Sequence, residues 1–398
     1  MPPEGTLLED RIEKYDFVVI GGGIAGASVA AHLAVEGRLR LLEREAQPGY
    51  HSTGRSAALF SEAYGTGIVR ALTRASRSAL FAPEPGFCSI PLVRPRPVMA
   101  LAHDGQAEAL EFFIAATAPV ESLERLTASQ AVAICPIVRP EPLIGAVIGR
   151  HTADIEVHEL HQAYLRLLKK RGGSISTSAE VIQLTQDGSG WRIVTTAGTM
   201  WATTLINAAG AWAAQIGALA GALDIGLRPL KRTACLVPAP EGFAIDAWPM
   251  VVNVAEEFYL KPDAGMLLLS PADETESLPC DAQADELDVA IAVDRVEQAT
   301  TLDVRRVARR WAGLRSFVAD SSPVVGFDPI APGFFWVAGL GGYGIQTAPA
   351  LGRIAARLAA RREIEADILE HGIELDAIAP GRSYRALRGG HQIGVARL

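Results

Sequence analysis

A β-branched run, YDFVVI (Tyr15 to Ile20), stops at the glycines of GGGIAG and restarts as ASVAAHLAVEG, a stretch of helical composition ending at Gly37. RLRLLERE then supplies a second buried-strand pattern. This strand, turn, helix, strand order constrains the fold more than any other feature, since it opens a parallel, doubly wound sheet. Gly21, Gly23 and Gly26 fit G-x-G-x-x-G at the junction, with Ile24 and Ala25 at the helix start. The first glycine permits the turn, the second lets the backbone approach a pyrophosphate, and the third lets helix pack on strand. Glu43, followed by Arg44, ends the second strand, where a carboxylate can accept hydrogen bonds from a ribose. A glycine triplet alone also fits a mere tight turn; the strand context and the acid together favour a dinucleotide site.

A second glycine turn, Gly341 to Gly344, follows the strand GFFWVAG and opens the helix IQTAPALGRIAARLAARR. Such a turn aims backbone N–H groups and a partial positive charge at one point. That suits the anionic N1/C2=O edge of a reduced flavin and favours FAD over NAD. Close packing alone would also account for these glycines.

At 398 residues the chain exceeds the usual single core, and two domains are expected. With 49% hydrophobic and 21% charged residues, its composition is that of a soluble globular protein. The net charge of -8, with no Lys/Arg block, disfavours nucleic acid. Cys88, Cys135, Cys235 and Cys280 form no CxxC pair, so reduced thiols, a cytoplasmic setting and no metal site are expected. The N-terminal MPPEGTLLEDRIEKYD lacks the basic start and apolar centre of a signal peptide. Phe17 to Val35 is nearly long enough to span a bilayer, but its glycines and serines mark a strand, turn and helix. Membrane contact is at most peripheral.

Residues 104 to 133 look helical, as does VHELHQAYLRLLKKRGG, whose Leu160, Tyr164, Leu167 and Leu168 share a face. On that helix His158 and His161 lack a partner carboxylate motif, which reads as a solvated or packed face. Residues 190 to 210 alternate like an antiparallel hairpin feeding a core strand, and 228 to 270 hold further strand-like pieces. Asp281 to Thr300 reads as a helix. The fold class is therefore α/β: a discontinuous Rossmann-like FAD-binding domain (12–90, 148–222 and 318–375) with an α+β substrate domain on an antiparallel sheet (91–147 and 223–317).

Arg315 in WAGLRSF and Arg232 in LKRTACLV sit in apolar runs. A sequestered guanidinium needs an anion. Either a ligand carboxylate or an internal salt bridge, to Asp263 or Asp320, would serve.

The stretches LEREAQPGYHSTGRSAA, NAAGAW, FYLKPDAGMLL, WAGLRSFVAD and GFFWVAGLGGYGIQT, spread from Leu42 to Thr347, carry a resemblance. The chain resembles the FAD-dependent amino acid oxidoreductases that include D-amino acid oxidase, glycine oxidase and sarcosine oxidase, and within them is most similar to the D-arginine dehydrogenases. The resemblance implies non-covalent FAD, with no cysteine or histidine in the C-terminal turn. It implies that Ser52, Thr53, Arg55, Ser56 and Ala57 line pyrophosphate and flavin, and that Val181 contacts the adenine end. Gly210 with Trp212, Gly313, and Gly341, Gly342, Tyr343, Gly344, Ile345 and Gln346 complete the cofactor set. It also implies that Arg232, Tyr259 and Arg315 clamp a substrate carboxylate, with Tyr64 on a mobile lid and Gln346 near flavin and substrate.

The implied reaction is oxidative deamination of a D-amino acid. Hydride passes from Cα to flavin N5, and the imino acid hydrolyses to a 2-oxo acid and ammonia. The electron acceptor is a quinone, a redox protein or O2. Oxidation of secondary or cyclic amino acids, sarcosine- or proline-like, would use the same clamp. Two pocket positions depart from the D-arginine dehydrogenases: Val98 replaces a glutamate that reaches a substrate guanidinium, and Leu59 replaces a histidine near the substrate amine. Beside Gly342 these make an apolar pocket, which favours neutral or apolar substrates.

Overall fold

The computed structural model describes residues 12–382, so the start of the polar N-terminal segment lies outside the described residues. Two large sheets organise it. In the first, strands Ser174–Ser176, Leu39–Leu42, Glu13–Ile20, Gly198–Asn207 and Phe334–Ala338 run parallel in that spatial order. Antiparallel strands Val181–Asp187, Gly190–Thr195 and Val324–Phe327 extend it. The central Glu13–Ile20 strand is apolar on both faces at Val18 and Val19, as a sheet covered on two sides requires.

Helix Ile24–Leu33 covers one face and packs against helices Gly344–Ala359 and Val157–Lys170. Its contact with Gly344–Ala359 is close: a Cβ at Gly352 would stand 2.8 Å from Ser28 Cβ. The N-terminal and C-terminal glycine turns thus open onto the same region from adjoining helices.

The second sheet is antiparallel except where Met250–Asn253 runs alongside Val98–His103. Its register separates two faces. Met99, Leu101, Cys235, Val237 and Leu269 pack with helices Ala128–Ile134 and Glu286–Ala299. Val98, Ala100, Ala234, Met250 and Tyr259 face the other way. A small third sheet, Leu59–Phe60, Ala153–Ile155 and Val93–Pro95, lies beside them.

The mixed α/β architecture agrees with the sequence expectation, with two local corrections. Residues 104 to 133 are not one helix: helix Ala107–Thr117 and helix Ala128–Ile134 flank strand Leu123–Leu126. That strand pairs with Leu143–Gly149, and a capping box of Thr127 and Gln130 starts the second helix. The helix expected from Asp281 begins at Glu286, after Asp285. Among the described residues no helix is long and apolar enough to cross a membrane. Phe17 to Val35 forms the strand, turn and helix that its glycines predict. All four cysteines are free thiols.

Candidate active site

The first glycine turn is built by close approach. A Cβ on Gly21, at φ +104°, would run into the Ala208 carbonyl, and one on Gly26 into the Gly21 carbonyl. Glu43 spans the turn: Oε2 accepts from Gly22 N at 2.9 Å and Oε1 from Glu45 N at 2.9 Å. Burial raises its carboxyl pKa against these two hydrogen bonds. Thr53 Oγ1 accepts from Ile24 N at 3.0 Å, which ties the Ser52 to Ala57 segment to the helix start. From the far side His161 Nε2 meets the Gly22 carbonyl at 2.8 Å. Burial lowers the pKa of this imidazole, so the neutral ring donates. No local sequence signal marks His161 as a turn-holding residue, because its partner is 139 positions away.

Two cavities meet at Gly23, Ser52, Thr53, Ala208 and Gly210. One extends past Glu43 and Arg44 to Val181 and Trp212, with Arg44 4.9 Å above the Trp212 ring. The other extends past Ile24, Ala25, Ser56 and Ala57 to Arg232, Tyr259, Arg315 and Gln346, with Gly313, Gly341, Gly342, Gly344 and Ile345 in its wall. A long molecule with a pyrophosphate at the glycine turn fits this pair. Gln346 supports a ligand there: its Oε1 accepts from Ser61 N at 3.0 Å, while its buried Nε2 has no partner among the described residues.

Strand register explains how the two arginines meet. Strands Arg228–Pro238 and Arg309–Phe317 pair antiparallel with Arg232 opposite Gly313 and Leu230 opposite Arg315. Diagonal neighbours share a face, so both guanidiniums project from the same side. Tyr259 projects from that side too, opposite Ser270 of the intervening strand.

Arg315 Nη2 donates to Tyr64 Oη. Burial holds the Tyr64 phenol above its ordinary pKa, with Arg315 and Arg232 opposing that rise, and it keeps its proton. With its oxygen accepting from Arg315, the Tyr64 hydroxyl has its hydrogen to offer elsewhere. Neither expected aspartate pairs with Arg232 or Arg315: Asp320 binds Arg382 at 2.8 Å. Instead Glu274 Oε1 lies 3.1 Å from Arg232 Nη2 and 3.7 Å from Arg315 Nη1.

Tyr64 is buried, with its ring 4.7 Å from that of Tyr343. Three other expected residues sit differently from the sequence reading. Tyr343 packs behind Tyr64 and Phe317, outside the cavity lining. Arg55 reaches the lining, but its guanidinium binds the Ala282 carbonyl at 2.8 Å, the Ala312 carbonyl at 3.0 Å, and Asp281. Val98 lines a smaller adjoining cavity that shares Ser61 and Tyr64 with the main one, whereas Leu59, Ala234 and Met250 line the main cavity itself.

A parallel sheet that presents a glycine turn, a strand-end acid and a paired C-terminal turn to one groove defines a flavin dinucleotide protein. The chain belongs to the DAO family of FAD dependent oxidoreductases, whose profile matches residues 16–358, and FAD is its cofactor. A glycine oxidase of Geobacillus kaustophilus is 25% identical over 365 residues, covering 89% of this chain and 95% of that protein. A hydrogen cyanide synthase subunit of Pseudomonas aeruginosa is 24% identical over 403 residues, covering 89% and 94%. In fold, the L-proline dehydrogenase of P. horikoshii superposes with a TM-score of 0.76 at 22% identity, covering 90% of this chain and 97% of that one.

Proposed function

We propose that the protein oxidatively deaminates D-amino acids with neutral or apolar side chains, as an FAD-dependent dehydrogenase. Bound FAD, held non-covalently, supplies the hydride acceptor. The observation that carries the reading is Arg232, Tyr259, Arg315 and Tyr64 on one wall of the cavity that begins at the dinucleotide turn. Two guanidinium forks bind a carboxylate, and the Tyr64 hydroxyl donates to it. Fixing that carboxylate points the substrate Cα–H across the cavity. The substrate loses hydride from Cα and a proton from nitrogen; water then splits the imino acid into a 2-oxo acid and ammonia. A quinone, a redox protein or O2 takes the electrons onward.

Leu59, Ala234 and Met250 provide no counter-ion for a cationic side chain. Desolvating a guanidinium against them is unfavourable, which supports neutral substrates. In this reading the first sheet is the core of the FAD domain (12–90, 148–222 and 318–375) and the second that of the substrate domain (91–147 and 223–317). The enzyme works in the cytoplasm, with membrane contact at most peripheral.

The solved neighbours include L-proline dehydrogenase and iminodiacetate oxidase, whose named substrates are secondary amines, which favours secondary or cyclic amino acids as a second reading. The test is anaerobic mixing of the FAD-loaded protein with D-, L- and N-substituted amino acids while the yellow flavin absorbance is followed. Bleaching by D-leucine, D-methionine or D-phenylalanine is expected, with D-arginine and D-lysine far slower. Preference for arginine and lysine would overturn the substrate class, and preference for sarcosine or proline would select the second reading. Repetition in air separates oxidase from dehydrogenase.

A further inference from the structure

A single oxygen, Glu274 Oε1, faces both guanidiniums of the proposed carboxylate clamp, at 3.1 Å from Arg232 Nη2 and 3.7 Å from Arg315 Nη1. Resting on the clamp reading given above, we infer that Glu274 is an internal counter-anion seated where the substrate carboxylate binds, so that a ligand enters by exchanging with it.

The surrounding loop makes that exchange a matter of one side chain. Glu274 lies between strands Met266–Ser270 and Thr275–Glu276. The residue before it is pinned: Asp273 Oδ1 accepts from Thr233 N at 2.6 Å, and the Asp273 carbonyl accepts from Arg232 Nε at 2.8 Å. The backbone therefore stays in place while the Glu274 side chain, 27% exposed, has a path to solvent. Arg232 and Arg315, at 10% and 13%, do not. Two carboxylates on the same pair of forks repel each other, whereas a solvated Glu274 is readily hydrated. Glu274 thus keeps both guanidiniums compensated while no ligand is bound and weakens every carboxylate ligand equally. Its effect is specific to charge, because an uncharged ligand of the same shape meets no like-charge repulsion from Glu274, and glutamine in its place keeps the shape of the side chain while removing the charge.

The test uses the full-length, FAD-loaded protein and two unreactive probes, 3-methylbutanoate and its uncharged analogue 3-methylbutanamide, titrated while the visible flavin spectrum is recorded. Glu274→Gln is expected to tighten 3-methylbutanoate by about tenfold, the scale of one hydrogen bond to a charged group, and to leave the amide unchanged. With D-leucine as substrate, KM falls by a similar factor and kcat stays constant. If the glutamine variant loses FAD, Glu274→Ser, shorter and still polar, is expected to tighten 3-methylbutanoate more than the amide. Unchanged or weaker binding of 3-methylbutanoate would overturn the inference, since Glu274 would then be orienting Arg232 or anchoring a substrate ammonium. Equal tightening of acid and amide would also overturn it. A wild-type protein whose flavin responds to no carboxylate would remove the clamp itself; a wild-type response without tightening in either variant removes only the role of Glu274.

Discussion

The guanidinium of Arg315 lies so close against Gly342 that a Cβ at position 342 would fall within it. The second glycine turn therefore shapes the proposed carboxylate clamp as well as the cavity beside it. Gly342→Ala is expected to push Arg315 off its position and lower kcat/KM by about a hundredfold, the cost of a roughly 1 Å misplacement. Steady-state kinetics checks it, with bound FAD quantified by absorbance; a variant with wild-type kcat/KM would show that Arg315 has slack the packing does not suggest.

Tyr64→Phe removes the hydroxyl that accepts from Arg315 and retains the ring that packs on Tyr343. The predicted outcome is a KM about tenfold higher with FAD content unchanged. If kcat falls and KM does not, Tyr64 acts in the chemical step and not in holding the carboxylate.

What the sequence disclosed and what it concealed divide along the same line. The glycine turn, Glu43 and the two arginines were legible because each is a local pattern whose chemistry needs little context. Glu274 was not, because its place between Arg232 and Arg315 depends on the strand pairing of Arg228–Pro238 with both Arg309–Phe317 and Thr275–Glu276. Of the expected partners, Asp320 is near Arg315 in sequence yet pairs with Arg382 instead. The break of residues 104 to 133 at Leu123–Leu126 has the same cause: pairing with Leu143–Gly149 overrides local helical composition.

His161→Leu should loosen FAD. It leaves the Gly22 carbonyl without the donor that now stands 2.8 Å away, a loss of about 1–3 kcal/mol, or roughly 5- to 150-fold in Kd if the whole loss falls on the cofactor-binding turn. Titrating FAD into apoprotein measures it, and His161→Gln, which keeps a donor, is expected to recover part of the affinity.

Glu43 predicts how FAD retention depends on pH. Burial raises the pKa of its carboxyl in the apoprotein, and a ribose hydroxyl donating to it favours the ionised form. FAD binding therefore releases a proton. Affinity is full above the raised pKa and falls as pH drops through it, starting above the ordinary carboxylate range. For folding alone the sign is opposite: the raised pKa contributes stability below the unfolded-state value that is lost as pH rises through the folded-state one. Glu43→Gln should flatten the pH dependence of FAD affinity in equilibrium titrations; an unaltered slope would assign it to another group.

Asp154 joins parts of the chain that the active site keeps separate. Its Oδ2 accepts from Arg96 Nε at 2.7 Å and its Oδ1 from Lys261 Nζ at 2.7 Å, and both cations are almost fully buried. Asp154 belongs to the small third sheet, whereas Lys261 lies two residues beyond Tyr259 on the second large sheet. Asp154→Ala leaves two buried cations facing each other, which costs about 3–5 kcal/mol. The expected result is a clear fall in thermal midpoint for both apo- and FAD-loaded protein. Replacing all three residues with apolar ones of similar volume should recover much of that loss, because the pairing offsets the burial of its own charges. A triple variant as unstable as Asp154→Ala would mean that the cluster sets the geometry around Tyr259 in a way apolar packing cannot reproduce.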